Sequence, residues 1–339
     1  MFILTVCVGQ LQAQKVGTSS LQFLKVMPTA RATAMGDAYV SLARGADAVF
    51  WNPAGLTSIE NHELTSTVTM WLFDTKQLAI GYGLPMGDWG TFGFQFQYID
   101  FGSIEETRAD AVDLVIPASG EPFFNAGLTG RIFTPYSYLI GLSYAQKFTD
   151  KFSAAISAKY AMESLWSEQT ITIVNSTTGK LTSYKTYAEV FLFDFGMLYN
   201  TGFRSVTIGV SAQNFGAQVK FADVAHPAPI AFRLGVSANM FGQEGLLFQD
   251  DANRLTLAYD LFQPNDYRQQ MHVGAEYSFS ELIALRTGYK YDYDSEGLTF
   301  GGGLHTDLSG WPISVDYSYG KMNEYLNTVH RISLGVQFR

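Results

Sequence analysis

The chain has 339 residues, a net charge of -9, 16% charged and 15% aromatic residues, and one cysteine. That negative balance, with no basic run to offset it, argues against a nucleic-acid partner, because such affinity rests on Lys and Arg neutralising phosphates. So little charge beside 19 Tyr and 26 Phe also makes a surface poorly suited to water.

Residues 1–14 read as a secretory signal peptide, with Phe2 to Gly9 as the apolar run and Gln10-Leu11-Gln12-Ala13-Gln14 as its cleavage end. No Lys or Arg precedes that run, as a start placed too late would explain. Cys7 follows Leu4-Thr5-Val6, where a lipid-attachment site wants a small residue before the cysteine. Removal of the peptide leaves no disulfide and no thiolate metal site. No stretch approaches the roughly 20 apolar residues of a spanning helix.

Residues 15–59 do not alternate. Their Ala-rich middle predicts a short helix after Pro28. As a free tail the segment is too apolar, so it is expected to fold inside the structure that follows, as a hatch or plug. Asn52-Pro53-Ala54-Gly55 reads as a turn, with Pro53 fixing φ and Gly55 taking a positive φ.

From residue 60 to 339 the chain settles into period-two alternation. In "HRISLGVQFR" Ile332, Leu334, Val336 and Phe338 oppose Arg331, Ser333, Gly335 and Gln337. About fourteen such strands are predicted, near residues 60–73, 76–84, 90–102, 136–147, 151–165, 185–199, 203–214, 229–239, 253–262, 268–279, 282–292, 296–307, 312–320 and 328–339. Short connections alternate with long ones at 103–135, 166–184, 215–228 and 321–327. Outer-membrane barrels show that asymmetry. The turn at 240–252 is long on the side that should be short.

A soluble β-sandwich also alternates, but its polar face would carry Lys, Glu, Asp and Arg for water. Here that face is mostly Gly, Ser, Ala, Thr and Gln. The reading is therefore all-β: a transmembrane antiparallel barrel with an N-terminal plug in its lumen. Isolated polar residues on the inner face are candidate lumen contacts: Arg233, His272, Glu276, Arg286, Lys290, His305 and Asp316. Aromatics near strand ends, such as Tyr98, Phe101, Tyr136, Tyr199, Phe203, Tyr289 and Tyr317, fit interfacial girdles.

Catalytic and metal motifs are sparse. The five histidines form no i, i+4 pair and no His-Glu-x-x-His, and no Gly-x-Ser-x-Gly elbow occurs. "TTGKL" lacks the upstream glycine of a phosphate loop, and Gly301-Gly302-Gly303 is expected to pack closely against the plug. "DYDSEG" places Asp292, Asp294 and Glu296 like half a calcium loop, without the closing acid; a solvated hairpin is the default. The acidic segment Glu105 to Asp110, with Asp113, reads as solvated surface, suited at most to a basic partner or a divalent bridge to lipopolysaccharide. No enzyme and no cofactor are expected.

"GTSSLQFLKV" followed by "ARATAMGDAYVSLARGADAVFWNPAGL", Gly17 to Leu56, resembles the N-terminal signature of the PorV/PorQ family, a Bacteroidetes-type branch of the FadL-like outer-membrane proteins. Within it Gly36, Asp37, Asn52, Pro53, Ala54 and Gly55 are the hatch signature. The resemblance implies a barrel of about fourteen strands with a hatch, in the outer membrane among lipid and lipopolysaccharide. It implies service to the type IX secretion system, binding the C-terminal signal domain of exported cargo, the translocon or a sortase through outside loops. FadL-like relatives imply the alternative, a channel for long-chain fatty acids or other hydrophobic compounds. That alternative needs inward apolar residues near the outside end, for which Ile99, Leu192 and Leu198 are candidates.

Overall fold

A computed structural model describes residues 17–115, 121, 123–166, 168, 170–174, 181–221 and 224–338. The expected signal peptide, with Cys7, lies outside the described residues. Fourteen strands form one antiparallel barrel: β1 His62–Met70, β2 Lys76–Pro85, β3 Thr91–Asp100, β4 Tyr136–Lys147, β5 Phe152–Ser164, β6 Tyr187–Asn200, β7 Thr207–Gly216, β8 Ala231–Gly242, β9 Asn253–Pro264, β10 Gln270–Phe279, β11 Ile283–Tyr291, β12 Glu296–Leu308, β13 Trp311–Met322 and β14 Val329–Phe338. Each pairs with the next. β14 returns to β1 from His62↔Phe338 to Met70↔His330, which closes the barrel and leaves none of the fourteen as an edge strand.

The strands form where the sequence alternates, because one face meets lipid and the other the lumen. Along β14, Ile332 and Leu334 are 49% and 51% exposed while Arg331 and Ser333 are 5% and 4% exposed. A sandwich would have buried the apolar set; here it lies outside. Most of the girdle aromatics are outward and exposed, among them Tyr98, Tyr199, Phe203, Tyr289 and Tyr317. Phe101 departs from that expectation and packs against an inner apolar cluster around Ile99 and Leu139.

The turns at one end are mostly short; the links at the other include the three longest. The exception at 243–252 is real. It carries a two-residue strand, Phe248–Gln249, parallel to Phe241 and Gly242, with Phe248 stacked on Phe241 at 5.1 Å. The three longest links, expected as plain connections, each hold a hairpin: Ile104–Val115 with Phe123–Phe133, Thr170–Val174 with Leu181–Lys185, and Val219–Phe221 with Val224–His226. Alternation in these pieces is short or irregular, so periodicity alone does not reveal them.

Residues 19–59 pack against inward-facing side chains all round the barrel. Short helices occupy Ala30–Ala34 and Ala48–Trp51, and 3-10 turns occupy Gln22–Lys25 and Pro53–Ser58. Such short pieces leave many backbone groups unpaired, and the wall supplies their partners. Ser333 Oγ accepts from Ala30 N, Thr299 Oγ1 donates to Ala34 O, and Asp260 Oδ2 accepts from both Tyr39 N and Val40 N at 2.9 Å. On the opposite wall Gln213 donates to Phe50 O and Asn52 to Met197 O.

Asn52-Pro53-Ala54-Gly55 is not a free turn but the start of the 3-10 turn Pro53–Ser58, capped by Asn52 Oδ1 accepting from Ala54 N. Gly55 does not take a positive φ. Its requirement is space: a Cβ there would overlap the carbonyl of Ala43. Of the three consecutive glycines, Gly301 lies against Ala34 and Gly303 makes room for Arg286 and Asp316, while a Cβ on Gly302 would meet only Ala284 O at 3.5 Å.

Candidate functional site

Six of the seven expected lumen residues are almost fully buried: Arg233, His272, Glu276, Arg286, Lys290 and Asp316. His305 faces the same side but is half-exposed, with Nε2 3.6 Å from Asp316. Their partners organise two ionic clusters. In the first, Glu276 receives Arg31 through two hydrogen bonds, at 2.8 and 2.7 Å, and Arg286 at 2.6 Å; Arg286 continues to Asp316 at 2.5 Å. In the second, Lys290 lies 2.6 Å from Asp37 and 2.5 Å from Glu296. Both tie residues 31–37 to β10–β13.

Gly36 and Asp37 of the hatch signature owe their place to this seat. Both have positive φ, and a Cβ on Gly36 would stand 2.7 Å from Tyr289 N. Burial raises the Asp37 carboxyl, but Lys290 and His272 outweigh it and leave its pKa below the usual value. His272 Nε2 meets Tyr293 OH at 2.8 Å.

The half-calcium-loop residues take separate partners: Asp292 lies 3.9 Å from Arg268, Asp294 accepts from Tyr267 and Glu296 binds Lys290. Among the described residues no group of three or more His, Cys, Asp or Glu could hold a metal. Sequence reasoning missed a further buried pair, Lys159 with Asp194 at 2.7 Å, where Lys159 also donates to Asn214. It also gave no site role to Arg31 or Asp260. Strand parity would have found both, since Asp194 is the one charge among the inward Ala188, Val190, Leu192, Gly196 and Leu198, and Lys159 stands among the inward Ser153, Ser157 and Ala161.

Asp47 gives a pH prediction. Burial pushes its carboxyl up from the usual 3.8 to about 7. A folded-state value above the unfolded one means that the folded chain holds the extra proton between those limits. Seating of residues 43–59 is therefore expected to weaken as pH rises from about 4 to about 7. Asp47→Asn should flatten that dependence, read by hydrogen exchange of these amides; an unchanged slope would refute it.

At the long-loop end the hairpins expose large apolar side chains beyond the barrel wall. Phe124 and Ile132 are 67% and 69% exposed, and Ile104, Val112, Leu128 and Leu181 are also exposed. Arg131 ties two hairpins together, 3.7 Å from Glu106 and 3.1 Å from Glu168, and Phe133 packs on Trp166 at 4.1 Å. Glu106, expected as solvated surface, is buried and accepts from Thr129. Solvation of the remaining acids does not explain such an apolar display.

A family model described as "Type IX secretion system protein PorV" matches residues 9–262. The chain belongs to the PorV family. No curated protein matches the sequence. Among solved structures, the toluene transporter TodX of Pseudomonas putida superposes with a TM-score of 0.55 at 14% identity, covering 90% of this chain and 96% of that one. A FadL homologue of Pseudomonas aeruginosa gives 0.52 at 12% identity, covering 92% and 98%. These likenesses show a shared FadL-like barrel fold. The PorV-family chain is thus a non-enzymatic outer-membrane β-barrel.

Proposed function

We propose that this barrel serves type IX secretion in a Bacteroidetes-type outer membrane, where its outer hairpins hold the C-terminal signal domain of exported proteins, the translocon or the sortase. Residues 15–59 act as the hatch, and residues 1–14 as the export signal. The exposed apolar hairpins bridged by Arg131 carry this reading, because water-solvated loops have no use for such side chains. Removal of residues 104–133 from the chromosomal copy is expected to leave surface proteins in the periplasm and to end co-purification of translocon, sortase or cargo. Normal export and an unchanged pull-down would reject the proposal.

The inner apolar cluster around Ile99, Leu139 and Leu192 favours a second reading, a passage for hydrophobic compounds. Leu198 drops out of it, because it lies at the short-turn end beside Lys151 and Asn200. Residues 28–56 fill the path below, nearly all buried, and this places the channel second. Loss of labelled fatty-acid uptake in a deletion strain that exports normally would reverse the order.

A further inference from the structure

Under the mouth at the long-loop end lies a cavity of about 240 Å³, the share of roughly eight liquid waters. Leu24, Trp71, Phe262, Pro264, Tyr267 and Tyr293 contribute its apolar wall. Lys25, Lys290, Arg233 and Arg331 also line it, and their states differ. Lys25 is paired with Asp266, and Lys290 with Asp37 and Glu296.

The two arginines have no such partner. Arg233 is 4% exposed, and its Nε and Nη1 are covered without a hydrogen-bond partner among the described residues. Its guanidinium lies over the Phe262 ring at 4.0 Å and faces Trp51 at 5.2 Å. Arg331, 5% exposed, donates one hydrogen bond to Met27 O and lies over Trp71 at 5.3 Å. Neither makes an ion pair with a described residue. Carboxylates act on them only through space: Asp37 and Asp260 on Arg233, and Asp37 and Glu296 on Arg331, while Lys290 binds Asp37 and Glu296 directly and Asp260 accepts from Tyr39 N and Val40 N. Aromatic faces and distant carboxylates soften a buried cation but do not satisfy its N–H donors, and a buried donor without an acceptor is costly.

The geometry points to a binding site for a small organic carboxylate, its anionic end held by Arg233 and its apolar body between the aromatic walls. Nη2, the one Arg233 nitrogen that is not covered, offers a charge-assisted hydrogen bond to a carboxylate oxygen, and a ring or short chain suits the remaining wall. The cavity is smaller than the usual range for drug-sized ligands, so a long acyl chain does not fit.

The test compares benzoate with toluene, the same ring without the charge, on the full-length barrel in detergent, by calorimetry and by the emission of Trp51 and Trp71. Benzoate should bind saturably, and toluene about tenfold or more weakly, the worth of a charge-assisted hydrogen bond. Arg233→Met should cost a similar factor, while Arg254→Met at the short-turn end should leave binding unchanged. If Arg233→Met fails the heat-modifiability check for a folded barrel, Arg331→Met carries the same comparison. Equal affinity for benzoate and toluene, no loss in either cavity variant, binding of oleate in place of benzoate, or a cavity that takes only water would each overturn the site.

Discussion

Glu276→Ala is expected to lower the stability of the folded barrel by about 3–5 kcal/mol, the usual penalty for removing one partner of a buried ionic network. Glu276 is 2% exposed and is the only carboxylate among the described residues that receives both Arg31 and Arg286. Its loss strands two guanidiniums, one of them in contact with Asp316 alone. Replacing Glu276 and Arg286 together by Met should recover only part of the loss, because one stranded guanidinium goes with the pair while Arg31 keeps no carboxylate and Asp316 loses its arginine. Urea titration in micelles, followed by the heat-modifiable band shift, measures both variants. A single variant within about 1 kcal/mol of the parent would mean that the network carries no more than an exposed pair does.

Gly288→Ala is expected to unseat residues 35–37. Gly274 and Gly288 face each other across β10 and β11, and the Met35-Gly36-Asp37 turn rests on both. A Cβ on Gly288 would overlap the carbonyl carbon of Met35 and the amide of Gly36, which are backbone atoms that cannot rotate away. Overpacking of this kind costs about 1–3 kcal/mol. It should also break the Asp37–Lys290 pair and raise the conductance of the barrel in a planar bilayer. Gly302→Ala, whose new carbon meets nothing closer than 3.5 Å, is the matched control. Identical conductance in the two variants would show that this turn does not hold the segment in place.

Much of the barrel was legible in the chain. All fourteen predicted strands correspond to barrel strands, and the parity that put Arg331 and Ser333 opposite Ile332 and Leu334 is the parity observed. The long-loop hairpins were not legible, because Ile104–Val115 pairs with Phe123–Phe133 through two register shifts that break the period. For the candidate site the outcome is mixed. Isolated charges at inward positions singled out Glu276, Arg286 and Lys290, yet nothing local distinguishes Arg233 without a partner from Arg286 with two.

The sequence by itself determined which side chains face the lumen and which face lipid, because a strand has a two-residue period and the environments on its two faces differ in kind. Only the tertiary structure decided who meets whom inside. Arg31 reaches Glu276 across 245 positions of chain, and Ser333 receives Ala30 across 303. Such contacts depend on closure of the barrel and on the path of residues 19–59 through it, and both are set by packing and hydrogen-bond satisfaction summed over the whole wall rather than by any local pattern.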